Sequence, residues 1–265
     1  MITNLITAVG AAVIRFFTYL GEIVVLAGET IASIVMQKIR WRLFMNQVVE
    51  MGLRSQSVVV ITGAFTGAVF AAQTFFQFNK LGMGSAVGAV VSVSICRELG
   101  PVLTALMVTG RVGASMSAEI GTMKVTEQID ALRALAVHPI DYLVVPRVLA
   151  MMVSMPLLVA ECIGIGIAAG YFVAINLLGV NGPYYVENMV RWTQMRDITM
   201  AMSKAGCFAL LIVFISCHKG LTSREGAVGV GKATTEAVVD SSLAVLIFNF
   251  FLTMGLNVMF PAGYQ

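Results

Sequence analysis

Charged residues are scarce in this chain: 12% of its 265 residues are Asp, Glu, Lys or Arg, whereas 58% are hydrophobic. Soluble domains carry about a quarter charged residues, so the composition excludes an ordinary soluble protein and predicts an integral membrane protein. The net charge of +3 is small, and we expect no nucleic-acid partner. The first positive charge is Arg15, so the N-terminal stretch lacks the basic region of a cleavable signal peptide.

Cysteine and histidine are also rare. The four cysteines all lie in apolar runs without CxxC spacing: Cys96, Cys162, Cys207 and Cys217. This placement predicts small buried hydrophobic residues and neither a disulfide framework nor a metal site. His138 and His218 are the only histidines, so a histidine-based metal centre is not expected. The sequence therefore predicts neither a metal nor a cofactor.

Catalytic motifs are missing as well. The chain contains no G-x-S-x-G and no H-E-x-x-H, and we predict no catalytic residue. Gly226–Ala233 fits G-x-x-x-x-G-K, but Ala233 stands where a P-loop needs Ser or Thr, and a polar loop between membrane spans replaces the required strand. Gly164–Ala169 fits G-x-G-x-x-A inside an apolar run, where helix packing explains it better.

What the chain does have is long apolar runs. Five of them predict membrane spans, at residues 56–78, 84–117, 142–178, 198–217 and 236–260. Residues 1–37 are apolar too, but Arg15, Glu22 and Glu29 recur at intervals of seven on one helical face. This narrow polar stripe predicts an interfacial helix, with a sixth span as the alternative. The predicted fold is a single all-α membrane domain over residues 1–265 with about five transmembrane helices.

The distribution of Lys and Arg predicts the orientation. Three segments, 38–54, 111–147 and 218–232, hold four, four and three of these residues. The opposite side has Lys80, Arg191 and Arg196. The positive-inside rule therefore puts the N-terminus in the cytoplasm and the C-terminus outside. Residues 179–197, which are polar and carry Tyr184, Tyr185 and Trp192, are predicted as an external loop.

A charged pair lies inside the second span. Arg97 and Glu98 sit in the otherwise apolar or small run 84–109, at membrane depth. Because an ionised residue at a helix centre costs roughly 2.5–3.5 kcal/mol, the pair should face protein or a wet cavity. Pro101 removes the hydrogen bond that the Arg97 carbonyl would accept, which predicts a kink and an exposed carbonyl there. The alternative role is purely structural, with both charges pairing to other spans.

Other polar residues also fall within apolar runs: Gln73, Glu161, Lys204, Asp240 and Asn249. An intramembrane cation needs a partner, so we hypothesise that Lys204 pairs with Glu98 or Glu161.

A short amphipathic helix is predicted between the second and third spans. In Lys124–Val137 four apolar residues share one stripe: Val125, Ile129, Leu132 and Ala136. Thr126 is a candidate N-cap, and His138 with Pro139 should close the helix. The segment is too short and too charged to cross a bilayer, so it should lie at the surface and offer a face to another protein. A solvated connector is the alternative.

Gly63 and Gly67 form a GxxxG pattern in the first span. The pattern predicts a close helix contact, either a wall of a cavity or a contact between two copies of the chain.

The stretch from Arg97 to Ala150, RELGPVLTALMVTGRVGASMSAEIGTMKVTEQIDALRALAVHPIDYLVVPRVLA, closely resembles the permease subunit of Mla/MCE-type ABC transporters, the MlaE family. The resemblance implies a homodimer in the inner membrane of a Gram-negative bacterium. It also implies an ATP-binding-cassette ATPase as a separate subunit that binds the ATP, a periplasmic MCE-domain hexamer, and a STAS-domain protein bound through the ATPase. Phospholipid would be the transported substrate, moved in a pathway that maintains outer-membrane lipid asymmetry.

The resemblance also suggests site residues. A coupling helix matches Thr122–Val137, and its ATPase-coupling residues would be Glu127, Ile129, Asp130, Leu132 and Arg133. A phospholipid needs a cation for its phosphate, which makes Arg97 the first candidate for lipid binding, with Glu98 and Lys204 beside it. The alternative function is a proton-coupled secondary carrier in which Glu98, Glu161 and Asp240 relay protons.

Overall fold

The computed structural model describes residues 2–36 and 40–260, which form helices joined by short turns. In this part of the chain the α-helices are α1 (Ile2–Met36), α2 (Trp41–Met51), α3 (Gln56–Lys80), α4 (Val87–Ser94), α5 (Gly100–Val108), α6 (Ala114–Val125), α7 (Gln128–Ala134), α8 (Pro139–Asn176), α9 (Gly182–Trp192), α10 (Met195–Leu221) and α11 (Gly226–Met259).

Six helical stretches within the described residues are long and apolar enough to cross a membrane: Val13–Met36, Trp41–Lys80, Val87–Val125, Pro139–Asn176, Met195–Leu221 and Gly226–Met259. The prediction of an all-α, multi-pass membrane protein is confirmed. By length and composition α1 is one of the six, so both sequence-based predictions for it, interfacial helix and sixth span, stay open. Met1 and Gln37, the ends of the predicted segment, lie outside the described residues.

Several predicted boundaries differ from the observed ones. The helix that contains the second predicted span continues past residue 117 to Val125. The last helix begins at Gly226 and not at residue 236, since the glycines interpreted as loop signals alternate with Ala, Val and Lys, which a helix accepts. The P-loop-like stretch Gly226–Ala233 therefore forms the first turns of α11 and follows helix α10, not a strand. Pro146 and Pro156 both lie inside the single helix α8.

The predicted external loop contains helix α9. Its Tyr185 side chain is completely buried, with its ring centroid 5.6 Å from that of Tyr171 in α8. Gly88 of α4 lies directly against the Tyr185 backbone, where a Cβ would come within 2.5 Å of the carbonyl oxygen. Burial raises the pKa of Tyr185 to about 12, so its hydroxyl stays protonated at neutral pH. Helix α9 is thereby docked onto the bundle.

Glycines also join α3 to α8. A Cβ at Gly63 would lie 2.9 Å from the carbonyl oxygen of Cys162, and one at Gly67 would collide with the carbonyl oxygen of Gly166. The close approach predicted from the GxxxG pattern is confirmed. Its expected partner was wrong, because the glycines face α8 of the same chain and not a cavity or a second copy. Gly166 belongs to the stretch whose nucleotide-binding motif was attributed to helix packing.

Helix α10 forms the centre of the bundle and contacts α5, α6, α8 and α11. Ala205, Phe208, Ala209 and Ile212 on this helix are completely buried. Cys96, Cys162 and Cys217 are buried and Cys207 is half-buried, and all four are free. Polar groups on α10 therefore meet protein from several sides.

The long helical stretch Val87–Val125 is interrupted by two π-helical turns, Ile95–Leu99 between α4 and α5 and Thr109–Gly113 between α5 and α6. Such bulges widen a helix locally and are frequent at functional sites. Each turn carries an arginine, Arg97 in the first and Arg111 in the second. Arg111 Nη1 donates a hydrogen bond of 2.7 Å to Ser55 Oγ.

Candidate functional site

An ion pair joins the first π-helical turn to the start of α10. Arg97 Nε lies 2.7 Å from Asp197 Oδ1, and the Asp197 side chain is completely buried whereas that of Arg97 is 29% exposed. Asp197 also accepts a 2.9 Å hydrogen bond from the backbone N–H of Gln194, as the second half of a capping box. Because Asp197 is held at both oxygens, it fixes the direction of the Arg97 guanidinium.

Lys204, two turns further along α10, is completely buried and uses all three of its N–H donors. Its Nζ atom lies 2.9 Å from the backbone oxygen of Arg97, 2.8 Å from Glu98 Oε2 and 2.8 Å from Thr253 Oγ1. The hypothesis that Lys204 pairs with Glu98 is confirmed, and Glu161 is not the partner. The Arg97 carbonyl is the acceptor that Pro101 deprives of its helical donor, so the lysine replaces the missing N–H.

Glu98 is shared between α10 and α11. Besides Lys204, it accepts hydrogen bonds of 3.0 Å from Asn249 Nδ2 and 3.0 Å from Thr253 Oγ1. The two α11 residues are four apart and therefore lie on one helical face. Arg97, Asp197, Glu98 and Lys204 together carry two positive and two negative charges, and this balance makes their burial at membrane depth tolerable. We call these four residues with Thr253 and Asn249 the charge cluster.

The three predicted lipid-binding residues thus meet in one place, but their accessibility differs. The side chains of Arg97 and Glu98 are 29% and 40% exposed, so another molecule can reach them. Lys204 is enclosed and its donors are saturated, which leaves it no hydrogen bond for a phosphate. Lipid binding by these residues stays a prediction, and within it Lys204 holds its neighbours in position.

Two members of the charge cluster, Asp197 and Thr253, were not predicted from the sequence. Asp197 was assigned to the end of an external loop, although the spacing Gln194-x-x-Asp197 fits a helix N-terminus, where a carboxylate at the third position caps the backbone. Thr253 gave a weaker signal, namely its position one helical turn after the membrane-depth residue Asn249.

The predicted coupling helix is shorter than expected. Helix α6 runs to Val125, and α7 covers Gln128–Ala134 instead of the whole of 122–137. Thr126 does not cap α7, because its hydroxyl donates back to the Thr122 carbonyl at 2.7 Å. The chain turns instead at Glu127, which has a left-handed backbone with φ of 59°. The segment ends at His138, which is the residue immediately before α8. This agrees with the prediction, because Pro139 disfavours a helical backbone at the residue before it.

The two faces of α7 agree with the predicted stripe in part. Ile129 is buried at 1% exposure and Leu132 is half-buried, whereas Glu127, Asp130 and Arg133 are exposed. The prediction was wrong for Ala136, which lies after α7 with a φ of 57° and is exposed. Asp130 binds two cations, with its carboxylate 3.4 Å from Lys124 Nζ and 3.0 Å from Arg133 Nη1. The helix is therefore anchored on its apolar side and presents charged groups on the other. Its contact with an ATPase stays a prediction.

Comparison with known proteins gives the same family as the resemblance of residues 97–150. The family model described as "Permease MlaE" matches residues 44–255. The chain is 42% identical over 253 residues to a probable ABC transporter permease protein of Rickettsia felis, covering 96% of this chain and 98% of the relative. It is 41% identical over 228 residues to a probable ABC transporter permease protein of Synechocystis, covering 86% and 87% of the two chains.

A plant relative is similar as well. The chain is 37% identical over 229 residues to Protein TRIGALACTOSYLDIACYLGLYCEROL 1, chloroplastic, of Arabidopsis thaliana, covering 86% of this chain and 65% of the relative. The family-model match extends from within α2 through most of α11 and includes the charge cluster and α7. This chain belongs to the MlaE family of permeases and is a transporter subunit, not a catalytic enzyme.

Proposed function

We propose that this chain forms a homodimeric permease that moves phospholipid between the inner and outer membranes and so maintains outer-membrane lipid asymmetry. A separate ATP-binding-cassette ATPase binds and hydrolyses ATP, a periplasmic MCE-domain hexamer receives or delivers the lipid, and a STAS-domain protein binds the ATPase. The chain lies in the bacterial inner membrane with its N-terminus cytoplasmic and its C-terminus periplasmic. The name of the plant relative, which is that of a galactolipid, supports a lipid as the transported molecule.

The observation that carries this proposal is the position of Arg97. Its guanidinium is at membrane depth, partly exposed, and held by Asp197 through Nε. A guanidinium has five N–H donors, so its outer edge remains for a phosphate, which it binds in a forked geometry. Glu98 beside it is occupied by Lys204, so the neighbouring carboxylate repels the phosphate less than a free one would. The surrounding apolar helices suit acyl chains.

Helix α7 supports a partner that supplies the energy. It lies at the end of the long α4–α6 helix, which also contains the Arg97 turn, so a push on α7 acts on an element that reaches the charge cluster. The coupling residues of the proposal are Glu127, Ile129, Asp130, Leu132 and Arg133. Ile129 anchors the helix from inside, Arg133 holds the Asp130 carboxylate at 3.0 Å, and the exposed carboxylates of Glu127 and Asp130 meet the ATPase.

The proton-coupled carrier is not proposed. Glu98 is bound by a lysine, an amide and a hydroxyl, and Asp240 lies 2.8 Å from Lys219 Nζ, so both carboxylates are engaged by partners within the fold. A proton relay needs carboxylates that are free to exchange a proton with water or with one another. The membership of a family whose relatives are named as ABC transporter permeases points the same way.

The test is the amount of phospholipid that stays bound to the purified chain. Arg97→Gln removes the proposed phosphate contact, and Arg191→Gln, at an exposed position of α9, is the matched control. We expect Arg97→Gln to lower the phospholipid retained at this site by roughly tenfold, since a charged hydrogen bond contributes about 1.5–3 kcal/mol. The control should retain the wild-type amount. Equal retention in all three proteins would contradict the proposed site.

A further inference from the structure

A cavity of about 650 Å³ lies beside α7, away from the charge cluster. Lys124, Arg133, His138 and Glu29 contribute polar groups to its lining, whereas Ile129 and Leu221 contribute apolar surface. The cavity is bounded by the end of α6, by α7, by the beginning of α8 and by the end of α10. Its cations therefore converge where the predicted coupling helix meets the membrane bundle.

A second cavity of about 500 Å³ adjoins the first along the seam between α1 and α10. Glu29 and Leu221 line both cavities, so the two meet at these residues. On α1 the lining residues extend from Thr18 to Glu29 along one face, about 16 Å at 1.5 Å per residue. The surface between these ends includes the apolar residues Val25 and Leu26. It also includes Glu22, which is paired with His218 at 2.9 Å. The second cavity is a groove, open to the surroundings of the bundle.

Together the two cavities form one amphipathic site. The cations Lys124 and Arg133 line the first cavity, and the groove supplies most of the apolar surface. Lys124 and Arg133 share a single carboxylate partner, Asp130, so their combined charge is only half neutralised. Phosphate oxygens are strong acceptors for such cations, and basic pockets between membrane helices bind lipid headgroups. The groove length of about 16 Å is close to half of the roughly 30 Å hydrocarbon core, which is the length that one acyl chain occupies.

We propose that a glycerophospholipid with a net negative headgroup binds here as a resident lipid, with its phosphate on Lys124 and Arg133. One acyl chain lies in the groove between α1 and α10, against Val25, Leu26 and Leu221. The lipid thereby connects α1 to α7. Glu29, at the junction of the cavities, repels the phosphate from the groove and keeps it at the cationic end.

This site is distinct from the proposed transport site. Lys204 of the charge cluster and Leu221 of the new site are separated by about 25 Å along α10. The inference does not depend on which molecule the permease moves, and its variants leave Arg97 and Asp197 unchanged.

The experiment uses the full chain in bilayer discs of phosphatidylcholine containing a small fraction of phosphatidylglycerol with a photoreactive acyl chain. After irradiation, labelled peptides are mapped by mass spectrometry. We expect labelling of the Thr18–Glu29 face and of the region around Leu221. The double variant Lys124→Gln/Arg133→Gln should lower this labelling by at least about fivefold, since each surface cation contributes about that factor to binding an anionic lipid.

The matched control is Arg224→Gln/Lys232→Gln, which removes two cations that line a different cavity near the start of α11. It should leave the labelling unchanged. Excess inorganic phosphate distinguishes the two possible sources of the phosphate group. Labelling that survives it supports a lipid, whereas labelling abolished by it shows a site for free phosphate and overturns the proposal.

A second pair of variants tests the groove without changing any charge. Val25→Trp fills the groove, while Val24→Trp adds the same side chain at a neighbouring residue outside the cavity lining, where Val24 is 67% exposed. We expect Val25→Trp to abolish the labelling and Val24→Trp to preserve it. Equal labelling of Val25→Trp and Val24→Trp would show that the lipid contacts the surface without a specific site. Equal labelling of the two double variants would show the same.

Discussion

The Lys204 ammonium lies 2.9 Å from the backbone carbonyl oxygen of Arg97, the acceptor whose helical donor is missing because residue 101 is proline. The unpaired carbonyl of Arg97 and the buried ammonium of Lys204 would each be costly at membrane depth. Their hydrogen bond therefore lowers the cost of both. The same ammonium holds Glu98, so the π-helical turn and its two charged side chains depend on one residue of α10.

Replacing Lys204 by Met should destabilise the fold. The change removes the charged hydrogen bond to Glu98, whose side chain is 40% exposed, and leaves the Arg97 carbonyl unpaired, a loss of roughly 1.5–3 kcal/mol. The free energy of unfolding of the detergent-solubilised chain measures this loss. Lys232→Met, at an exposed position of α11, is the matched control and should change stability by less than about 0.5 kcal/mol.

The charge-swapped variant Glu98→Lys/Lys204→Glu tests the contacts that depend on which residue carries the ammonium. The swap restores an ion pair, but it places a carboxylate beside the Arg97 carbonyl and an ammonium beside the Asn249 amide N–H, so neither contact can form. We therefore expect the swap to recover only part of the stability lost in either single variant. Complete recovery would show that these two contacts contribute nothing.

Pro101→Ala should weaken the dependence on Lys204. Alanine restores an N–H for the Arg97 carbonyl, so the loss of Lys204 no longer leaves that oxygen unpaired. A double-mutant cycle with Lys204→Met should give a coupling energy of about 1 kcal/mol, the net contribution of one hydrogen bond. Strict additivity of the two changes would contradict the proposed compensation.

Gly67→Ala should disrupt the contact between α3 and α8. The added methyl would overlap the carbonyl oxygen of Gly166, a backbone atom that cannot rotate away. Overpacking of this kind costs about 1–3 kcal/mol or more, measured as a lower midpoint of thermal unfolding. Gly164→Ala makes the same chemical change on α8 where no neighbouring atom lies within 4 Å, and it should leave the midpoint unchanged.

Asp130→Lys should impair binding of the ATPase. The variant replaces the carboxylate shared by Lys124 and Arg133 with a third cation and so reverses the charge of the exposed face of α7. The amount of ATPase recovered with the tagged chain from native membranes should fall severalfold. Glu187→Lys, an equal reversal at an exposed position of α9, should recover the wild-type amount, and a parallel loss in both would indicate a general effect of charge.

The sequence allowed the pairing of Glu98 with Lys204 to be predicted because few polar residues are available at membrane depth and each needs a partner. Asp197 escaped prediction because it lies where a polar connection meets an apolar run. There, composition alone does not distinguish the last residue of a loop from the first turn of a helix. The spacing between Gln194 and Asp197 indicates the start of a helix, but a count of apolar residues does not detect it.

The partner of Gly63 and Gly67 could not be predicted for a different reason. A GxxxG pattern indicates that another helix can pack closely against this one, but it does not identify that helix. Both α8 and a second copy of the chain were compatible with the pattern. Likewise Thr126 is a sound N-cap residue by type, but α6 extends further than expected and uses Thr126 within its last turn. In both cases tertiary packing decided between alternatives that were locally equivalent.

The most direct test of the account is the mass and composition of the intact complex that the tagged chain forms in its native membrane, determined by native mass spectrometry. We predict two copies of this chain together with an ATP-binding-cassette ATPase, an MCE-domain hexamer and bound phospholipid. A chain recovered without any ATPase, whether alone or with phospholipid, would contradict the proposal that it serves as an ATP-driven lipid permease.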